Sequence, residues 1–380
     1  MPAKHRNTAF SSVLVLFLGG SLALAQESGR EGPVLARSGP TSALAQQVRW
    51  LDGDHFAAAR WDGTLAFFRR PLSDAEHAPV LTAVFPSESR KGLEMLAARD
   101  SRWLVTSNDE RSLTFWQRPW DSFDGRAVSS RTFGYDPAYG VANSGAFLSV
   151  EGREYLVTGH AHGWVLVWAV DLSAQGLALL EAVDVRSPDR IDSPFEAWNV
   201  RAVVPWRDGL VVTGSEDGDI CVLRLPDGEV LLRRRYNPAA RRGINDLALH
   251  GDYLVAVSCS VGERDKNTWL YRLDLEGLET LDAVDLKNDG TRDQAFAFDA
   301  VFATLGGKPH VFVSTQEGLL WSLALESGRK LRVLGFEELG FAPGAEIGVG
   351  SALDYHPGSG RLVAAGLLIF LFAPEGGGAG

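Results

Sequence analysis

Cysteine is nearly missing: Cys221 and Cys259 are the two in 380 residues. That excludes a disulfide scaffold, in which several bridges stand in for a core. Both lie on expected strands. They are either buried thiols or, in an oxidising compartment, partners in one bridge whose geometry sequence does not give. Long apolar runs are missing too. Residues 367–372 form an apolar run that ends before Pro374, far too short for a transmembrane helix, and read as a strand, so no membrane insertion is expected. Positive charge is in deficit, with 37 Lys and Arg against 48 Asp and Glu and a formal net charge of -11. Such a surface disfavours nucleic acid and anionic lipid as partners. Catalytic signatures are absent as well: no Cys-x-x-Cys-His, no Gly-x-Ser-x-Gly elbow, no phosphate-binding loop and no zinc-protease helix motif. Gly214-Ser215 and Gly350-Ser351 lack the flanks a serine nucleophile needs.

What is present begins with an ordinary globular composition, 45% hydrophobic and 22% charged. Lys4 and Arg6 precede an apolar run at 13–18, and Ala23-Leu24-Ala25 follows. A basic start, an apolar centre and a small-x-small site predict a secretory signal over 1–25 and a secreted or periplasmic protein. Its removal takes the formal net charge from -11 to -13.

Residues 198–236 show the plan of the rest. Runs at 200–204, 210–213, 220–225 and 230–232 are rich in Val, Leu and Ile, which suit a pleated buried surface. Arg207-Asp208-Gly209, Glu216-Asp217-Gly218 and Pro226-Asp227-Gly228 separate them, each with the glycine that tight hairpins need. Four such strands cannot bury both faces alone. Segments 56–68, 103–116, 155–168, 253–273, 310–323 and 361–372 match the second and third strands of this unit. The spacing is roughly 44 to 56 residues, the range of propeller blades. Helical periodicity is weak; 93–99 would make a turn of helix, but it falls where an inner strand is due. The seventh unit offers strands at 347–355, 361–365 and 367–372 and then runs out. Residues 33–37 have no other role and are expected to supply its outer strand, sparing an open edge.

The carrying stretches are Val212-Thr213-Gly214-Ser215-Glu216-Asp217-Gly218-Asp219-Ile220 and Leu156-Val157-Thr158-Gly159-His160. With them the chain resembles the WD40 family of β-propellers. Trp116 and Trp168 stand where that family closes its third strand, followed here by Gln117 and Ala169 in place of aspartate. Trp61-Asp62 and Gly159-His160 sit in other loops than the family's signature pairs. The resemblance implies an all-β, seven-bladed propeller of four-stranded antiparallel blades over 26–374. Residues 375–380 form a Gly-rich tail expected to be disordered. No catalytic residue carries over.

Several residues are candidates for function. Trp61 lies in a turn and is a fair interface anchor. Arg233, Arg234, Arg235, Tyr236, Arg241 and Arg242 lie in a blade-joining segment rich in arginine. They either receive an acidic protein or peptide through the guanidinium fork, or face water and neighbouring acids. His160 and His162 either start a metal site, wanting a third ligand from nearby acids, or form a turn pair with no metal. Turn acids such as Asp62, Asp109, Asp217 and Asp227 fit turn chemistry. Asn199, Asn245, Asp246, Asp299 and Asp354 belong to inner strands and are expected along the central channel, as ligand groups or as hydrogen bonds across blades. Trp103, Trp164, Trp168, Trp269 and Trp321 are expected between blades. The function expected is a monomeric, non-enzymatic protein-interaction scaffold without cofactor. The alternative is a propeller enzyme, a quinone-dependent dehydrogenase or a metal-dependent lactonase, with its site at the channel mouth.

Overall fold

Each turn-separated run of β-branched and aromatic residues becomes a strand, and the strands assemble into seven four-stranded antiparallel sheets. The computed structural model describes residues 34–37 (backbone only), 43–71, 79–86, 92–117, 129–188, 198–240, 243–258, 266–286, 296–315, 318–334 and 352–373. Blades 1 to 6 follow one another in sequence, at 45–86, 93–134, 142–184, 200–235, 244–284 and 297–334. Blade 7 joins the two ends of the chain. Strands Ala352–His356, Arg361–Ala365 and Ile369–Phe372 are completed by Val34–Arg37, which pairs antiparallel with the last of them. The expected N-terminal strand is thus in place. The seventh unit's first strand is described over Ala352–His356; residues 1–33, 347–351 and 374–380 lie outside the described residues.

The core is divided as a propeller requires. Seven apolar clusters occur, and each combines side chains of two successive blades, including one that joins blade 7 to blade 1 through Val363, Ile369 and Leu371 against Val48, Phe56 and Phe68. Among the described residues no apolar cluster lies within a single blade. Second and third strands are covered on both faces and read as continuous apolar runs, as in Leu210–Ser215 and Asp219–Arg224. Outer strands such as Gly176–Asp184 are largely solvent-facing.

Leu93–Arg99, with sequence LEMLAAR, is the inner strand of blade 2. Its residues are good helix formers, so neighbouring strands override local preference here.

Gly159 sits where blade 3 packs tightly on blade 4: a Cβ there would stand 2.6 Å from Val200 Cγ1. Gly159→Ala is expected to lower stability by about 1–3 kcal/mol through overpacking. Gly134→Ala, where a Cβ meets nothing within 4 Å, should leave the urea midpoint unchanged; equal effects of the two would refute the packing account.

Candidate functional site

The turns between second and third strands share one face with the connections between blades, and this face frames one mouth of the axial channel. The second and third residues of each inner strand govern its chemistry, in different ways.

In five of the seven blades the third residue stitches its blade to the next; Met95 and Ala202 stand at that position in blades 2 and 4. Gln47 Oε1 accepts from Leu96 N at 2.9 Å, and Ser144 Oγ donates to the Val200 carbonyl at 2.9 Å. Asp246 Oδ2 accepts from Ala300 N at 3.1 Å, Asp299 Oδ2 from Leu353 N at 2.8 Å, and Asp354 Oδ2 from Trp50 N at 2.6 Å. Every reach is toward the following blade. These residues line an axial cavity of about 350 Å³ together with Arg49 and Arg201. Burial pushes the Asp354 carboxyl up to about 6, against the opposing pull of Arg49. Asp246 is raised well above its ordinary value, first by burial and then by the charge and hydrogen bond of Asp299. The three aspartates expected along the channel are there, and their observed bonds run across blades. Asn199 and Asn245 are not among the cavity-lining residues: Asn245 Nδ2 donates to the Ala297 carbonyl at 2.7 Å and Asn199 Nδ2 to Glu216 Oε2 at 2.8 Å.

Two second residues, Glu94 and Arg201, serve the turn face. Glu94 hydrogen-bonds Asp109 in the blade 2 turn, and burial, followed by the Asp109 charge, lifts its carboxyl to about 7 despite Arg201. Arg201 pairs with Glu216 at 2.6 Å. Sequence reasoning missed Glu94 and Arg201. Superposing the inner strands as it superposed the second and third would have placed them beside Asn143 and Asn245, at one position of the repeat.

Trp61 stands on the same face, 53% exposed, the most exposed large apolar side chain among the described residues. Its backbone is fixed, with N donating to the Leu44 carbonyl at 3.0 Å. Its neighbour Asp62 accepts from Thr64 N at 3.0 Å and from its hydroxyl at 2.6 Å, the turn chemistry expected of it. Trp61 and Asp109 flank one point: a Cβ on Gly92 would lie 3.3 Å from the Trp61 carbonyl oxygen and 3.6 Å from Asp109 Oδ2.

Within the arginine segment, Arg233 and Arg235 engage neighbouring groups and an acid, as one of the two expected readings has it. Arg233 turns inward and donates to the carbonyls of Val185 at 2.9 Å and Arg186 at 2.7 Å, fastening the connection between blades 3 and 4. Arg235 donates to Ser187 Oγ at 2.8 Å, and both arginines flank buried Asp219 at 3.6 and 3.4 Å. Burial outweighs both and keeps the Asp219 carboxyl above its ordinary value. Tyr236 is buried, and its carbonyl accepts from Tyr271 OH at 2.6 Å. Arg234 is exposed; Arg241 and Arg242 lie outside the described residues.

The histidines are also spoken for. His160 is wholly buried, with Nε2 2.8 Å from Thr158 Oγ1 and Nδ1 3.2 Å from the Gly140 carbonyl. Burial lowers its pKa to about 4, so it is neutral near pH 7. His162 Nδ1 meets the Ala138 carbonyl at 2.8 Å. Among the described residues no group of three His, Cys, Asp or Glu is placed to hold a metal. Thr158 also accepts from Trp168 Nε1 at 3.0 Å, and Thr106 from Trp116 Nε1 at 2.9 Å. The two third-strand tryptophans thus tie third strand to second within their blades as well as filling the gap between blades. Cys221 is a free thiol, pushed up to about 12 by burial; Cys259 lies outside the described residues.

No family model and no curated protein matches the chain. Solved structures do. The WD40 β-propeller domain of Doa1 superposes with a TM-score of 0.62 at 13% identity, covering 91% of this chain and 98% of its own. The β-propeller domain of Myceliophteria thermophila Cps50 (Swd1) does so with a TM-score of 0.62 at 14% identity, covering 90% and 99%. Blade count, strand order, the closing strand and these superpositions agree: the chain folds as a seven-bladed β-propeller, similar in fold to these WD40 domains.

Proposed function

We propose that this propeller is a non-enzymatic scaffold that binds a protein or peptide on its turn face, with Trp61 as the anchor. One observation carries the reading. A tryptophan on a backbone fixed by a hydrogen bond is half exposed beside a polar channel mouth, and exposed aromatics of this kind dominate binding where partners bury them. With Arg233 and Arg235 engaged inside, the charged groups near Trp61 are the paired carboxyl groups of Asp109 and Glu94. They suit a partner segment that brings hydrogen-bond donors or positive charge. The pattern at residues 1–25 supports a setting outside the cytoplasm, which N-terminal sequencing of the exported protein would test.

The enzyme alternative has no observation in its favour. The raised Glu94 carboxyl by itself does not make an acid catalyst, since structural pairs shift such groups as well.

Trp61→Ala is expected to weaken capture of proteins from extracellular or periplasmic extract by roughly thirtyfold, the loss of an interface anchor, with melting unchanged. Capture equal to that of the unaltered protein would overturn the proposed face.

A further inference from the structure

Outer strands are the edges of the seven sheets, and an edge left open invites another strand. Six of them carry at least one charged residue, which keeps such a strand away. Val80–Pro86 in blade 1, with sequence VLTAVFP, carries none. It also holds three of the eight exposed large apolar side chains among the described residues: Val80, Leu81 at 49% and Val84 at 40%. Ala83 and Phe85 pack toward blade 2, with Phe85 edge-on to Phe67 at 5.8 Å. Leu81 and Val84 pair with Phe68 and Ala66 and so lie on the side turned to blade 7. A bulge at Thr82 lets both share that side.

Thr64–Arg69 is the only strand among the described residues that pairs with Val80–Pro86. Alternate N–H and C=O groups therefore stand open along its outer edge. Pro86, which has no N–H, closes the row at the turn face, opposite Thr64 and beside the Trp61-Asp62 turn. Asp62 and Asp109, both exposed, give that end negative charge. We propose that an extended segment of a partner protein adds to this edge as a fifth strand of blade 1. It sets apolar side chains beside Leu81 and Val84 and a basic residue at the end next to Trp61, Asp62 and Asp109. Backbone pairing supplies the affinity, and the alternate side chains supply the selectivity. This docking mode rests on the reading of Trp61 as the anchor and extends that site down the rim of blade 1. A second copy of the chain fits less well, because copies with a net charge of -11 repel.

The probe is an acetylated and amidated peptide, Lys-Val-Thr-Val-Thr-Val-Thr, titrated into the full-length protein. In the antiparallel sense its lysine reaches the Trp61 end. At saturation, hydrogen exchange is expected to slow roughly tenfold at alternate amides between Leu81 and Phe85. Leu81→Lys combined with Val84→Lys alters exposed positions only. It should weaken the peptide about tenfold, with melting unchanged. Of two peptides N-methylated at either the odd or the even residues, one should bind about tenfold more weakly than the other. No binding, protection confined to other strands, or equal binding of the two methylated peptides would each overturn the edge site. So would a dimer of the unaltered protein in which these amides are already protected, since a second copy would then be the occupant. If Trp61→Ala weakens capture while the peptide leaves 81–85 unprotected, the turn face stands and the edge falls. Peptide protection at 81–85 with capture unaffected by Trp61→Ala gives the reverse.

Discussion

A chain beginning at Ser42 is expected to unfold at markedly lower urea than the full-length protein, while one beginning at Pro33 is not. The strand Val34–Arg37 is the outer strand of blade 7, in register with Phe372, Leu371 and Phe370. Removing it strips the outer-edge backbone partners from Ile369–Phe372, whose four side chains are buried and whose inner edge stays paired with Arg361–Ala365. At about 0.5–1.5 kcal/mol net per hydrogen bond, with apolar surface newly wetted on the exposed edge, the loss is on the order of 3 kcal/mol. The effect exceeds a simple edge deletion because blade 7 also packs on blade 1 and on blade 6. The chain starting at Pro33 separates the strand from the residues before it. Equal urea midpoints for both would refute the closing role.

Arg233→Ala is expected to lower stability by about 2–3 kcal/mol in urea unfolding, less than the full loss from breaking a buried pair. Two facts temper it: the Arg233 side chain is 30% exposed, and Arg235 remains beside Asp219. Three features raise it: the carbonyls of Val185 and Arg186 lose their donor, and Asp219, 5% exposed, keeps a single cation. Arg234→Ala, a few ångströms along the same strand but solvent-facing, should change stability by less than about 0.5 kcal/mol. A role confined to partner recognition would give the opposite result, with unchanged stability for Arg233→Ala and weaker capture.

These two arginines show where sequence reading stops. Neighbours on an outer strand alternate between its faces, so a run of three arginines contains both inward and outward side chains. Which ones find carbonyls depends on the connection from the preceding blade, at residues 184–187, nearly fifty positions away. His160 and His162 teach the same lesson. Two residues apart on paper, they are separated by burial: one is sealed against Thr158 and the other sits in the turn. Trp61, by contrast, was legible because a tryptophan in a Trp-Asp-Gly turn has no strand neighbour to cover it.

The blade plan, the seven-fold repeat, the all-β class and the closing strand near the N-terminus could all be read from the residues in order. Those features rest on local chemistry: glycine-bearing turns, runs of β-branched residues, and a strand count that leaves one edge needing a partner. The tertiary structure alone decided which polar residues hold the ring together. It turned Leu93–Arg99 from helix-forming sequence into a strand, brought Glu94 to Asp109, and set Asp354 against the Trp50 amide, 304 positions away. The reason is geometric. A strand's own sequence fixes its alternation, but the partner of each inward side chain is fixed only when the ring closes and sets one inner strand beside the next.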